Sequence, residues 1–169
     1  LNRNNGLGKE VLAFILVPAG HAGANKELLH NLELPYQAVT STHLYLTHYL
    51  NDSANDPVMN RIRAQKLRNS EEDKVKIFFV PSYLNGDDGV LNMPYYDLLV
   101  GMDLTAFPSY YEPWGYTPLE SLAFKVPTIT TTLAGFGLWV KEHYNMNHPG
   151  IEVIHREDGD ASNVATAIA

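Results

Sequence analysis

Two carboxylates and a cluster of aromatics share one short stretch, residues 107–120, which reads FPSYYEPWGYTPLE. Glu112 and Glu120 are acids that can position or stabilise a reacting group. Tyr110, Tyr111, Trp114 and Tyr116 are flat surfaces on which a ring could rest. The stretch leaves a strand end, crosses a loop and enters a helix. Thr117 is expected as the N-cap, Pro118 as the first helical residue and Glu120 as the reciprocal partner of a capping box. The free amides of that helix start, from about Gly115 onward, form a ready anion site. Gly115 lets a phosphate come close to the backbone. A phosphate site, a carboxylate and aromatic walls point to a phosphorylated sugar or a nucleotide. The same residues also have plain structural uses. Glu120 can simply close the capping box, Glu112 can be an exposed loop acid, and the aromatics can be loop packing.

Other residue types argue against competing chemistries. His43 and His48 are five apart, so they do not share a helix face, and no HExxH pattern occurs among the seven histidines. A metal site is therefore not expected. His21, in the loop after the first expected strand, has either a polar contact to ligand or no role. Neither a Walker A nor a GxGxxG motif is present, which argues against an NTPase or a dehydrogenase. Arg61, Arg63, Lys66 and Arg68 form a basic helix face offset by Glu71, Glu72 and Asp73.

The elements that must position these residues alternate. Residues 11–17 (VLAFILV) and 75–80 (VKIFFV) read as strands buried on both faces. Residues 104–107, 127–130 and 151–154 are shorter strand candidates. Helical patterns cover 56–67, 95–100, 118–124, 138–146 and 162–169. Strands alternating with helices predict an α/β fold, a Rossmann-like three-layer αβα sandwich on a parallel sheet, with ligands beyond the carboxyl ends of the strands. Residues 19–47 are the least legible.

Bulk properties fit one domain over residues 1–169. The chain is 45% apolar and 18% charged, carries a net charge of −7 and has no cysteine. Net negative charge disfavours nucleic acid and anionic membranes as partners. Without cysteine there is no disulfide framework. No apolar run approaches the roughly 20 residues that span a bilayer. The opening residues, LNRNNG, read as a helix ending at Asn5-Gly6, and 160–169 as a helix that stops early, so the domain is expected to be truncated at both ends.

The string FPSYYEPWGYTPLES, followed by PTITT and AGFG, resembles the glycogen synthases of the animal and fungal type, as does 47–84 leading into it. Seven residues separate Glu112 from Glu120, the spacing of retaining glycosyltransferases built from two Rossmann-like domains (GT-B). The resemblance implies the donor-binding, C-terminal half of such an enzyme. It implies that Glu112 lies against the donor glucose near its reacting carbon, as the catalytic residue, and that Glu120 bonds the ribose hydroxyls. It further implies that Gly115, Tyr116 and Thr117 hold the diphosphate, that Tyr83 and Tyr95 flank the uracil, and that Trp114 lines the donor pocket. Similar enzymes transfer glucose from UDP-glucose to the 4-hydroxyl of an α-1,4-glucan, with retention and without an obligatory metal or other cofactor.

In that family an arginine and a lysine that also grip the diphosphate would precede Leu1, and the acceptor-binding domain is absent here. The isolated chain is therefore expected to be inactive. A cytoplasmic, homo-oligomeric parent is the corresponding expectation. The alternatives are a related transferase using ADP-glucose or another nucleotide sugar, and a non-catalytic module that binds glucan or scaffolds a partner.

Overall fold

Apolar runs of strand length, separated by capped amphipathic segments, give a mixed α/β chain in a computed structural model that describes residues 10–35, 44–71, 73–144, 149–159 and 161–168. The expected helix end at Asn5-Gly6 lies outside these residues. In chain order the elements are β1 (Val11–Leu16), β2 (His21–Ala24), α1 (Lys26–Leu32), β3 (His48–Leu50), α2 (Pro57–Ala64), β4 (Val75–Val80), α3 (Tyr95–Leu99), β5 (Thr105–Ala106), α4 (Tyr116–Ala123), β6 (Thr128–Thr131), α5 (Gly135–His143), β7 (Ile151–Ile154) and α6 (Ala161–Ile168). They fall into two compact units, residues 1–95 and 96–169. Parallel ladders occur in both, in keeping with the expected Rossmann-like α/β class.

In the first unit β1 pairs in parallel with β4 from Val11↔Val75 to Leu16↔Val80. The other edge of β4 meets Tyr45–Thr47, whose Tyr45 carbonyl accepts from the Phe79 amide (2.6 Å) and whose Thr47 amide donates to the Phe79 carbonyl (3.0 Å). β4 is thus central, and Phe79 and Val80 are fully buried. The core joins Tyr45, Leu46, Ile77 and Phe79 to Met59 and Ile62 of α2. α2 starts where Asp56 accepts from the Met59 amide (2.8 Å) with Pro57 behind it. β1 departs from the double-sided burial expected of it. Leu12 is 55% exposed, and β1 pairs only with β4 among the described residues.

The poorly legible stretch holds β2 and α1, and β2 pairs antiparallel with β3 just beyond its end. Asn25 sets α1 by accepting from the amides of Glu27 (3.1 Å) and Leu28 (3.2 Å) while donating to the Leu46 carbonyl (2.9 Å). His21 is a β2 residue whose ring meets that of His48 edge-on at 4.7 Å. His48 is fully buried, with Nδ1 2.8 Å from Thr47 Oγ1 and Nε2 2.8 Å from the Asp88 carbonyl. A carbonyl only accepts, so Nε2 carries a proton.

Asp88 in turn organises the following loop. Its carboxylate accepts from the amides of Val90 (2.9 Å), Leu91 (2.9 Å) and Asn92 (2.8 Å). Burial raises its pKa, but these amides and the charge of His48 outweigh burial and hold it below the ordinary 3.8. The ionised form therefore stabilises the fold fully above that value, and the contribution is lost as pH falls through the lower folded pKa. Asp88→Ala is expected to cost about 1–3 kcal/mol at pH 7 by stranding the three amides. Thermal unfolding of the full-length protein should show this deficit at pH 7 and a smaller one at pH 3. Equal deficits at both would refute the account.

In the second unit β5, β6 and β7 form a parallel sheet in that order, with α4 and α5 as the crossovers. α4 is seated by hydroxyls. Ser121 Oγ lies 2.7 Å from Thr105 Oγ1 and accepts from Thr128 Oγ1 (2.9 Å), linking the helix to β5 and β6. Gly137 lets α5 approach β6, since a Cβ there would stand 2.3 Å from the Thr131 carbonyl.

Candidate functional site

The loop after β5 runs to Gly115, and α4 begins at Tyr116 with Gly115 as its N-cap. This corrects the expected capping box. Thr117 is not the N-cap, Pro118 is the third helical residue and Glu120 the fifth, too far along to reach back to the cap. The helix starts early because Gly115 adopts a left-handed backbone (φ 89°, ψ 78°) that turns the chain directly into it. Pro118 is accommodated because amides of the first turn lack intrahelical partners in any case. No side chain caps this helix start. The first amides of this helix, at Gly115, Tyr116 and Thr117, are of the kind that can receive an anion.

Glu112 precedes that turn and is fixed through its backbone. Its amide donates to the Leu133 carbonyl (3.1 Å), and its carbonyl accepts from the Gly135 amide (3.1 Å). The Phe136 amide adds a bond to the Trp114 carbonyl (2.6 Å). Loop 112–114 thus lies along the turn from β6 into α5. A Cβ on Gly135 would sit 2.2 Å from the Pro113 carbonyl, so only glycine permits this approach. The Glu112 side chain keeps one oxygen, Oε2, buried with no hydrogen-bond partner. A Cβ on Gly115 would come within 2.9 Å of that oxygen.

Of the residues singled out in the sequence, Glu112, Trp114 and Gly115 share this loop, and Tyr116, Thr117 and Glu120 occupy the first turns of α4. Tyr116 and Glu120 are four apart and share a helix face, with Tyr116 69% exposed. Glu120 accepts a hydrogen bond from the Tyr96 phenol, and that bond, with the carboxylate's charge, raises the Tyr96 pKa. Trp114 packs edge-on against Phe136 at 5.8 Å and near Trp139 at 6.3 Å, as a wall held by α5. Tyr83 and Tyr95 belong to the first unit. There the Tyr95 amide donates to the Leu84 carbonyl (3.0 Å), which places the two tyrosines beside one hydrogen bond. Tyr83 is 77% exposed.

Sequence reasoning missed Arg156, which is buried beneath the loop entering the site. It lies 48 residues from Pro108, whose carbonyl it bonds, and belongs to no motif. It missed Tyr96 as well, although the Tyr-Tyr pair at 95–96 was a visible signal. No three His, Asp or Glu side chains among the described residues converge as metal ligands. No described helix is long and apolar enough to cross a membrane.

The glycogen synthase family model matches residues 5–168 of the chain. Glycogen (starch) synthase of Caenorhabditis elegans is 37% identical over 142 residues, 83% of this chain and 20% of that protein. Isoform 1 of Saccharomyces cerevisiae is 45% identical over 97 residues, covering 57% and 14%. The liver enzyme of Mus musculus is 43% identical over 97 residues, again covering 57% and 14%. The chain thus spans between about a seventh and a fifth of the curated relatives it matches. With nearly its whole length matched by the family model, the chain belongs to the glycogen synthase family.

Proposed function

We propose that the protein carrying this chain transfers glucose from UDP-glucose to the 4-hydroxyl of an α-1,4-glucan, with retention, and that residues 1–169 are its nucleotide-sugar-binding domain within a GT-B enzyme. The observation that carries this reading is the pairing of an uncapped helix start with a buried, unpartnered carboxylate oxygen on the preceding loop. Membership of the family supports the reaction class. A cytoplasmic, homo-oligomeric parent belongs to the same reading.

Departure of the nucleoside diphosphate builds negative charge on phosphate and positive charge on the sugar ring. Amides at Gly115, Tyr116 and Thr117, with the α4 dipole, stabilise the first. Glu112 stabilises the second, and its unpartnered Oε2 accepts a sugar hydroxyl. Glu120 exchanges the Tyr96 phenol for ribose hydroxyls, and Tyr83 and Tyr95 bracket the base. Proton transfer from the acceptor hydroxyl falls to the departing phosphate. Glycosidases differ, because there two carboxylates flank the scissile bond.

Three outcomes test the reading. The full-length protein should incorporate labelled glucose into glycogen from UDP-glucose, and Glu112→Gln should lower kcat on the order of 10²–10³-fold. Incorporation from ADP-glucose alone would overturn the donor, and unchanged turnover in the variant would overturn the role of Glu112. Gly115→Ala forces a side chain into left-handed backbone at about 1–3 kcal/mol and crowds Glu112. Calorimetry should show weakened UDP binding, whereas wild-type affinity would remove the helix start from the site. Residues 1–169 alone should transfer no glucose in the same assay, and measurable incorporation would contradict that.

A further inference from the structure

Arg156 lies two residues past the end of β7 and is only 4% exposed. Its guanidinium is always charged, so burying it requires strong compensation. The ion pairs among the described residues are His48–Asp88 and His155–Glu157, and neither involves it. Compensation comes instead from the loop leaving β5. Nη1 donates to the carbonyls of Pro108 (2.6 Å) and Ser109 (3.2 Å), and Cζ stands 3.7 Å from the centre of the Tyr110 ring. One side chain thereby engages three consecutive residues. The Ser109 carbonyl also accepts from Thr131 Oγ1 (3.0 Å).

The backbone of Arg156 is anchored too. Its amide donates to Thr132 Oγ1 (3.0 Å), and its carbonyl lies 3.2 Å from the same hydroxyl. Arg156 therefore reaches from the end of β7, past the end of β6, to the exit of β5. It secures the loop at 108–110, while Leu133 and Gly135 secure it at Glu112. The segment bearing the carboxylate is pinned at both ends.

We propose that Arg156 is a positioning residue for Glu112, fixing through Pro108–Tyr110 where the carboxylate stands; this rests on the donor-site reading above. A buried cation used only to fill space is worse than an apolar side chain of equal volume. What lysine and methionine lack is a planar guanidinium fork that lies over a ring while one of its amino groups, Nη1, bonds both carbonyls.

The test uses the full-length protein with Arg156→Lys and Arg156→Met, read by hydrogen–deuterium exchange and by steady-state transfer from UDP-glucose to glycogen. Exchange should quicken at least about tenfold across 107–115 while β5, β6 and β7 keep their protection. Turnover should fall on the order of 10²-fold with the KM for the donor nearly unchanged, since a small displacement of the catalytic group acts on the chemical step. Arg156→Lys keeps the charge and most of the stem, so it reports on the fork even where the methionine variant folds poorly. Unchanged exchange at 107–115 in both variants overturns the proposal. So does protection lost evenly over 96–169, which would mark a purely structural role. If the wild-type protein transfers no glucose, the donor-site reading fails, and the exchange comparison alone decides whether Arg156 holds the loop.

Discussion

The site depends on the way residues 112–114 lie along 133–136. Three main-chain hydrogen bonds make that contact, and two of them use the first amides of α5, at Gly135 and Phe136. α5 has no side-chain cap, because loop carbonyls from Glu112 and Trp114 satisfy its start. α4 has no side-chain cap either, but its start opens from a left-handed glycine. Two helix N-termini on consecutive crossovers therefore differ in fate. One is closed by protein, and closing it fixes Glu112; the other has no side-chain cap and is the one the proposed function gives to an anion. The close approach demands glycine at 135, where a side chain would collide with the Pro113 carbonyl.

Much of this was legible from residue order. Residues 75–80 and 151–154 are the strands observed, residue for residue, because β-branched residues in both, with aromatics in the first, fit a pleated surface. α2 was marked by a local signal, the amphipathic pattern over 56–67. The capping box at 117–120 misled because it is also local. Left-handed backbone at Gly115 opened the helix earlier, and nothing in Thr-Pro-Leu-Glu reveals the preceding φ. The 19–47 stretch was obscure because its order comes from partners far along the chain. Asn25, for example, is fixed by Leu46 and Thr47, more than twenty residues on. Arg156 was invisible for the same reason, since its partners at 108–110 are distant and two of them are backbone atoms that carry no sequence signature.

Buried side-chain atoms without a hydrogen-bond partner among the described residues are Glu112 Oε2, Thr130 Oγ1 and Arg156 Nε. Each such atom costs about 1–3 kcal/mol against a satisfied one. All three belong to the second unit, and two sit on residues that bound one loop. Hydroxyl ladders through Thr105, Ser121 and Thr128, and the Thr132 clamp on Arg156, supply rigidity that can hold such groups in place.

The consequence for chemistry follows from what an unpaired oxygen does when a ligand arrives. A carboxylate that already accepts bonds keeps other acceptor positions, but each bond it holds restricts the directions from which it can receive a sugar hydroxyl. Glu112 Oε2 has nothing to give up, and its backbone is held on both sides. In the proposed reaction a hydrogen bond made there costs no protein partner, at a position that need not reorganise as charge develops on the ring. Glu120, on α4 beyond that loop, presents the contrasting case, since the Tyr96 phenol already takes one of its acceptor positions. Under the proposed function this contrast matches Glu112, free of protein partners at its buried oxygen, to the reacting centre. It matches Glu120, which already has a protein partner, to recognition away from that centre.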